Sequence, residues 1–226
     1  LITDNLQNAV QVYLYTLPRN RPNFNFIDKV QIPEGEFEGF IFDHDGTLSL
    51  SMHVHFDGWL DAFKKNEGNF EFTRQIAQSY AGVGMHDTVK ILNERFGCNM
   101  SPEQVVSDQE SYFFANLDKV LPYEPVVDFA RQCHQQGKPI SVASGGIRKT
   151  VIKTMEAIGI AELFEIIITQ NDVINSKPAP DLFLLAAERM NVNPHKCLVF
   201  EDSLLGIEAA QRAGMESLLV TPEDPQ

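Results

Sequence analysis

Gly39-Phe40-Ile41-Phe42-Asp43-His44-Asp45-Gly46-Thr47-Leu48 is a short apolar run that ends on two aspartates separated by one residue. A run of continuous apolar residues this short reads as a strand covered on both faces, which is the signature of a parallel sheet. The carboxyl end of such a strand is where α/β sheets place ligands. Asp43 and Asp45 are therefore candidate functional groups, although an Asp-Gly turn with two solvated acids would look the same in isolation. By strand alternation His44, between them, points away from the acids and is structural.

Further short β-rich runs at 139–143, 166–169, 196–200 and 217–220 alternate with helical patterns at 126–136, 147–158, 180–190 and 204–213. The alternation predicts an α/β fold, a Rossmann-like parallel sheet with helices on both faces. The stretch between the first and second strands reads almost wholly as helix, with no convincing strand. Phe56, Trp59, Leu60 and Phe63 recur at helical spacing, as do Val89, Leu92 and Phe96, then Val105, Tyr112, Phe113 and Leu117. These stripes predict the core of an inserted all-helical domain. The expected division is a core domain of 37–50 and 121–226, a helical cap of 51–120, and an N-terminal extension of 1–36 with an extra helix around 5–15.

At 226 residues the chain is long enough for one domain of about 150 residues and a smaller insertion. A formal charge of -13 repels polyanions, so nucleic acid and anionic membranes are excluded as expected partners. Cys98, Cys133 and Cys197 lack CxxC spacing and suggest no disulfide framework, which fits a reduced cytoplasmic setting. No apolar run approaches the roughly 18 residues of a spanning helix, and the first residues lack the basic region of a signal peptide. The expected partner is a small phosphorylated metabolite, provided that local positive potential exists inside the acidic shell.

Three more clusters lie at predicted strand ends. Ser144-Gly145-Gly146 follows the second strand and precedes a helix, so a hydroxyl and exposed N–H groups could cradle phosphate. After the third strand, Ser176-Lys177-Pro178-Ala179-Pro180 fixes one lysine beside two prolines, a point charge for a phosphate. The fourth strand ends in Glu201-Asp202, a second acidic pair. Each cluster alone has a bland reading as an N-cap turn, a surface lysine or a helix N-terminal acid pair. Their convergence on one sheet edge does not.

This order of motifs resembles the haloacid dehalogenase superfamily, specifically its branch with a helical cap inserted after the first motif, which includes β-phosphoglucomutase and sugar-phosphate phosphatases. The resemblance implies that Asp43 is a nucleophile and Asp45 the general acid and base, with Ser144, Gly145 and Lys177 on the phosphate. It further implies a Mg²⁺ site made by Asp43, Asp202 and the Asp45 main-chain carbonyl, with Glu201 as an added acid. The chemistry agrees: an ionised carboxylate can attack phosphorus, and oxygen-only ligands suit Mg²⁺. Asp45 should then have a carboxyl pKa raised relative to Asp43. His55, followed by Trp59, is similar to a hinge histidine of this branch. The remaining His53, His86, His134 and His195 read as surface residues.

Some positions depart from that pattern. Leu50 stands where the branch usually has an aspartate, and Pro125 where a glycine commonly starts the next helix. Gly82-Val83-Gly84-Met85 aligns with a substrate-reading cap loop but is nearly featureless. A mutase needs cations there and just after Ser144 to hold a distal phosphate, yet the aligned residues are Met85 and Ile147, with only Arg148 nearby. The expectation is accordingly a phosphatase, with a phosphosugar mutase as the alternative. A receiver-like phospho-acceptor is disfavoured by the helical insertion, and an idle binding protein by the filled chemical positions.

Overall fold

The structure, a computed structural model, describes residues 32–80 and 83–222. The helix expected around 5–15 and Gly82 lie outside the described residues. Strand β1, Gly39–Phe42, is the central strand of a five-stranded parallel sheet. On one side it pairs with β4, Ile140–Ala143, which pairs with β5, Ile166–Ile168. On the other it pairs with β6, Cys197–Glu201, which pairs with β7, Glu216–Leu219. The topological switch thus falls at β1, and the crevice beyond its carboxyl end is the position that open α/β sheets offer a ligand.

Alternation along β1 explains why its sequence is apolar without a break. Phe40 and Phe42 face one core with Ile140, Val142, Leu198 and Phe200, covered by α5 (Glu124–Gln135) and α6 (Arg148–Ala157). Ile41 faces the other with Ala143, Cys197 and Val199, covered by α7 (Asp181–Met190) and α8 (Leu204–Arg212). Phe42 and Phe200 sit opposite in register and stack with ring centroids 4.7 Å apart. A polar residue at any of 40–42 would meet a buried face whichever way it pointed.

The segment after β1 holds α1 (Met52–Lys65), α2 (Arg74–Ser79), α3 (Met85–Phe96) and α4 (Pro102–Ala115). Ser101 caps α4 by accepting the Gln104 N–H, with Pro102 in the first turn, and Gly97 ends α3 in the left-handed region at φ 66°. These helices enclose their own core of Ala62, Phe63, Phe72, Val89, Leu92, Val105 and Val106, against which Phe56 and Trp59 pack. Leu60, expected in the same stripe, is instead 40% exposed. It lies past the edge of the buried arc, where Ala62 and Phe63 already fill the contact.

The expectation of no strand in this region fails at its margins. Ser49–Leu50 (β2) pairs antiparallel with Leu121–Pro122 (β3), so the outgoing and returning chains are tied side by side where the helical segment begins and ends. Two-residue strands leave no periodicity to read.

Candidate active site

At the carboxyl end of β1, Asp43 is almost fully buried, and its N–H donates to the Phe200 carbonyl of the neighbouring strand. The segment between β5 and α7 brings Lys177 across the sheet, and its Nζ lies 2.5 Å from both Asp43 Oδ1 and Glu201 Oε1. Burial works against a charged lysine, yet the two carboxylates hold its pKa above the ordinary range, so it stays cationic. Glu201 ends β6 and is fully committed. Oε1 takes the lysine, while Oε2 accepts from the Ser203 N–H at 2.6 Å and the Ser203 hydroxyl at 2.8 Å.

Asp202, next in the chain, reaches the loop after β1 because residue 46 is glycine. Gly46 sits at φ +84°, and a Cβ there would fall 2.1 Å from Asp202 Oδ2. Asp43, Glu201 and Asp202 each bring a carboxylate oxygen within 4.8 Å of one another. Burial pushes the Asp43 carboxyl up to about 7, with Lys177 opposing and Glu201 adding. Burial followed by the Asp43 and Glu201 carboxylates pushes Asp202 up to about 9. A buried acidic set that resists ionisation is what a divalent cation would relieve, because its charge inverts the local electrostatics. The donors fit a hard cation: all are oxygens, and the room beside Gly46 is already made. Since Glu201 has both oxygens occupied, Asp43 and Asp202 are the carboxylates with oxygens to spare.

Asp45 has a different environment. Its Oδ1 accepts the Ser51 hydroxyl at 2.6 Å and lies 3.6 Å from His55 Nε2. Burial alone would raise its pKa, but the charge of His44 and the hydrogen bonds from His55 and Ser51 carry it well below the carboxylate range. His44 is itself driven toward neutrality by burial, so at neutral pH the Ser51 and His55 contacts are the ones that hold Asp45 ionised. The expected order, Asp45 above Asp43, is thus reversed here. The reason is the placement of donors: hydrogen bonds surround Asp45, while carboxylates crowd Asp43.

His44 also departs from expectation. It is fully buried and turns its Nε2 to within 3.9 Å of Asp45 Oδ1 rather than away. The strand ends at Phe42, and a turn follows in which the His44 carbonyl accepts from Thr47, Leu48 and Ser49, so alternation no longer applies. Of the histidines read as surface residues, His86, His134 and His195 are exposed, but His53 is half-buried.

Ser144, buried at the end of β4, accepts the Gly146 N–H at 3.0 Å. A Cβ on Gly146 would lie 3.2 Å from Ser144 Oγ and 3.5 Å from Asp45 Oδ2, so this glycine separates the two groups at close range. A Cβ on Gly145 would meet Ser176 Oγ at 3.4 Å, which seats this loop beside the segment carrying Lys177. The structure therefore brings Asp43, Asp45, Ser144, Gly145, Lys177, Glu201 and Asp202 to one edge of the sheet. It does not bring Arg148, whose guanidinium donates to the Ile167 carbonyl and pairs with Asp172 at 3.3 Å.

Above Asp45 a cavity of about 70 Å³ opens between the sheet edge and the helical segment, reached by His55, Met85, Gln109 and Ile147. The sequence reading missed Ser51, Gln109 and Glu110. Ser51 had a signal, since residues 49 and 51 share a face of an extended chain leaving the motif. Gln109 had none. Its amide reaches both the His55 carbonyl at 3.4 Å and His55 Nδ1 at 3.2 Å. The carbonyl requires a donor, so the nearby Nδ1 is an acceptor, and the imidazole hydrogen is on Nε2, facing Asp45.

The chain matches the haloacid dehalogenase-like hydrolase family over residues 37–214. Fructose-1-phosphate phosphatase YqaB of Escherichia coli is 30% identical over 183 residues, covering 80% of this chain and 95% of that protein. The phosphorylated carbohydrates phosphatase of Thermotoga maritima is 27% identical over 80% of this chain and 83% of its own length. In fold, the chain is similar to CbbY from Rhodobacter sphaeroides, solved with xylulose-(1,5)bisphosphate, at a TM-score of 0.71 and 21% identity, over 81% of this chain and 85% of that one. With its motifs gathered at the carboxyl edge of a parallel sheet and a helical segment inserted after the first, the chain belongs to the haloacid dehalogenase-like hydrolases.

Proposed function

We infer that the protein is a Mg²⁺-dependent phosphatase that hydrolyses a small sugar or polyol phosphate through an aspartyl-phosphate on Asp43. The observation that carries this reading is Lys177, locked between Asp43 and Glu201 in a cluster of carboxylates within 4.8 Å. Asp43 and Asp202, with the Asp45 main-chain carbonyl, would hold the ion, whose charge neutralises the phosphate and the carboxylates facing it. The sugar-phosphate names of the relatives support the substrate class. The division into a core of 37–50 and 121–226 and a cap of 51–120 belongs to the same proposal, as does a cytoplasmic setting, which the free cysteines support.

In the first step an Asp43 oxygen bonds to phosphorus as the bond to the leaving oxygen breaks, and Asp45 supplies that oxygen with its proton. In the second, Asp45 takes a proton from water as the water oxygen attacks phosphorus, which frees Asp43 and releases phosphate. Lys177, Ser144 and the N–H groups beginning α6 hold the phosphoryl oxygens between steps. For the first step Asp45 must arrive protonated, against the Ser51 and His55 contacts, and an incoming phosphate dianion favours that by raising its pKa.

Phosphatase is favoured over mutase by the walls of the cavity. Met85 and Ile147 line it where a mutase needs cations, and Arg148 is engaged elsewhere. A panel of phosphorylated sugars and polyols, assayed for released phosphate with Mg²⁺ and again with excess EDTA, tests the reading. Release with Mg²⁺ and at least a roughly hundredfold loss on chelation are expected. Full activity in EDTA sinks the metal assignment. Conversion of β-glucose 1-phosphate to glucose 6-phosphate with little phosphate released sinks the choice of phosphatase.

A further inference from the structure

The cavity above Asp45 is where the leaving group must sit, because Asp45 serves the leaving oxygen. Its walls carry Met85, Phe113, Phe114 and Ile147, neutral Gln109 and Thr150, the His55 imidazole that faces Asp45, and two ionisable acids, Asp45 and Glu110. Among the described residues no lysine or arginine lines it. The nearest basic residues on α6 are accounted for: Arg148 pairs with Asp172, and exposed Lys149 places its Nζ over the Phe114 ring, 4.8 Å from the centroid.

Glu110 is half-buried at the cavity, one position beyond Gln109 on α4. Its side chain makes no hydrogen bond or ion pair with any described residue. Its neighbours differ in this respect: Gln109 is spent on His55, and Asp45 on Ser51 and His55. A carboxylate at a largely apolar wall without a partner among the described residues has acceptor capacity left for a ligand, and it repels anions in a region of low dielectric.

Resting on the phosphatase reading above, we propose that Glu110 is a specificity-determining residue: it admits hydroxyl-bearing, uncharged leaving groups, whose O–H groups donate to it, and excludes leaving groups with a second anionic group. Discrimination of this kind works by repulsion of the wrong substrate as much as by attraction of the right one. The chemical class is a monophosphate ester of a neutral polyol or sugar, and bisphosphates and phosphorylated acids are disfavoured.

The test uses matched pairs with Mg²⁺: fructose 1-phosphate against fructose 1,6-bisphosphate, and glycerol 3-phosphate against 3-phosphoglycerate, with p-nitrophenyl phosphate as the reference ester. For the wild type, kcat/KM should favour the neutral member of at least one pair by about 100-fold or more. Glu110→Gln keeps size and hydrogen bonding but removes the charge, and it should narrow that ratio by about tenfold, chiefly through a lower KM for the anionic member. Equal wild-type use of both members overturns the proposal without any variant, and so does an unchanged ratio in folded Glu110→Gln. Turnover of p-nitrophenyl phosphate with none of the four esters hydrolysed overturns it as well. Failure to hydrolyse even p-nitrophenyl phosphate overturns the phosphatase reading itself, and this inference with it.

Discussion

Asp45 and Asp202 carry the same side chain, and their surroundings drive it in opposite directions. Ser51 donates to Asp45 and His55 lies 3.6 Å from it, whereas Asp202 is buried against the carboxylates of Asp43 and Glu201. Without a cation, folded Asp202 keeps its proton to about pH 9, while in the unfolded chain it releases it near the ordinary value of 3.8. Between those limits the folded state binds more protons, so the contribution to stability is full at low pH and is lost as pH rises through the folded value. In EDTA, the melting temperature should fall from pH 5 to pH 9, and Asp202→Asn should flatten that decline and melt higher than wild type at pH 8. Each kcal/mol recovered would appear as about 2–4 °C. With saturating Mg²⁺ the order should invert, because the wild type alone keeps its ligand. Matching pH profiles for the two proteins would contradict this account of Asp202. Asp43, Asp45, Lys177 and Asp202 were legible because each follows a readable strand or directly precedes a pair of prolines. Asp45's low pKa was not, since it depends on Ser51 and His55 meeting it in space.

At the scale of elements, two close approaches made by glycines decide what reaches the site. On α1, a Cβ at Gly58 would lie 3.3 Å from the Gln109 carbonyl, so this glycine lets α4 come near enough for Gln109 to hold His55. On α8, a Cβ at Gly206 would fall 1.9 Å from Glu201 Cδ and Oε1. Gly206 also donates its N–H to the Ser203 cap at 3.1 Å, so α8 begins hard against the glutamate that orients Lys177. Gly206→Ala must therefore displace Glu201 or shift the helix. It should cost about 1–3 kcal/mol by overpacking and at least about tenfold in kcat, because Lys177 loses one of its two anchors. Denaturant unfolding and phosphate release check both, and wild-type stability together with wild-type turnover would refute the close contact. The longer elements were plain from periodicity, with strand and helix ends within two residues of expectation. The pair β2–β3 was too short to show a period, and His44 was misread because a turn, not a strand, carries it.

At the scale of the whole molecule, the chemistry depends on chain segments far apart in sequence meeting at one edge: Asp43 and Asp45 after β1, Ser144 after β4, Lys177 after β5, and Glu201 with Asp202 at β6. The parallel topology brings them there, and a parallel α/β sheet is readable from the alternation of elements alone. What the helical segment contributes was not readable, because whether Gln109 and Glu110 line the cavity at Asp45 is settled by how α4 packs on α1. Against an overall charge of -13, Lys177 supplies local positive charge for an anionic substrate. The central claim is that Asp43 itself carries the phosphoryl group. Acid quenching during Mg²⁺-supported turnover of p-nitrophenyl phosphate, then borohydride reduction and peptide mapping, tests it most directly, because an aspartyl-phosphate is reduced to homoserine and a free carboxylate is not. Asp43 should be recovered in part as homoserine and Asp45 unchanged; reduction at Asp45, or at no aspartate during undiminished turnover, would contradict the account.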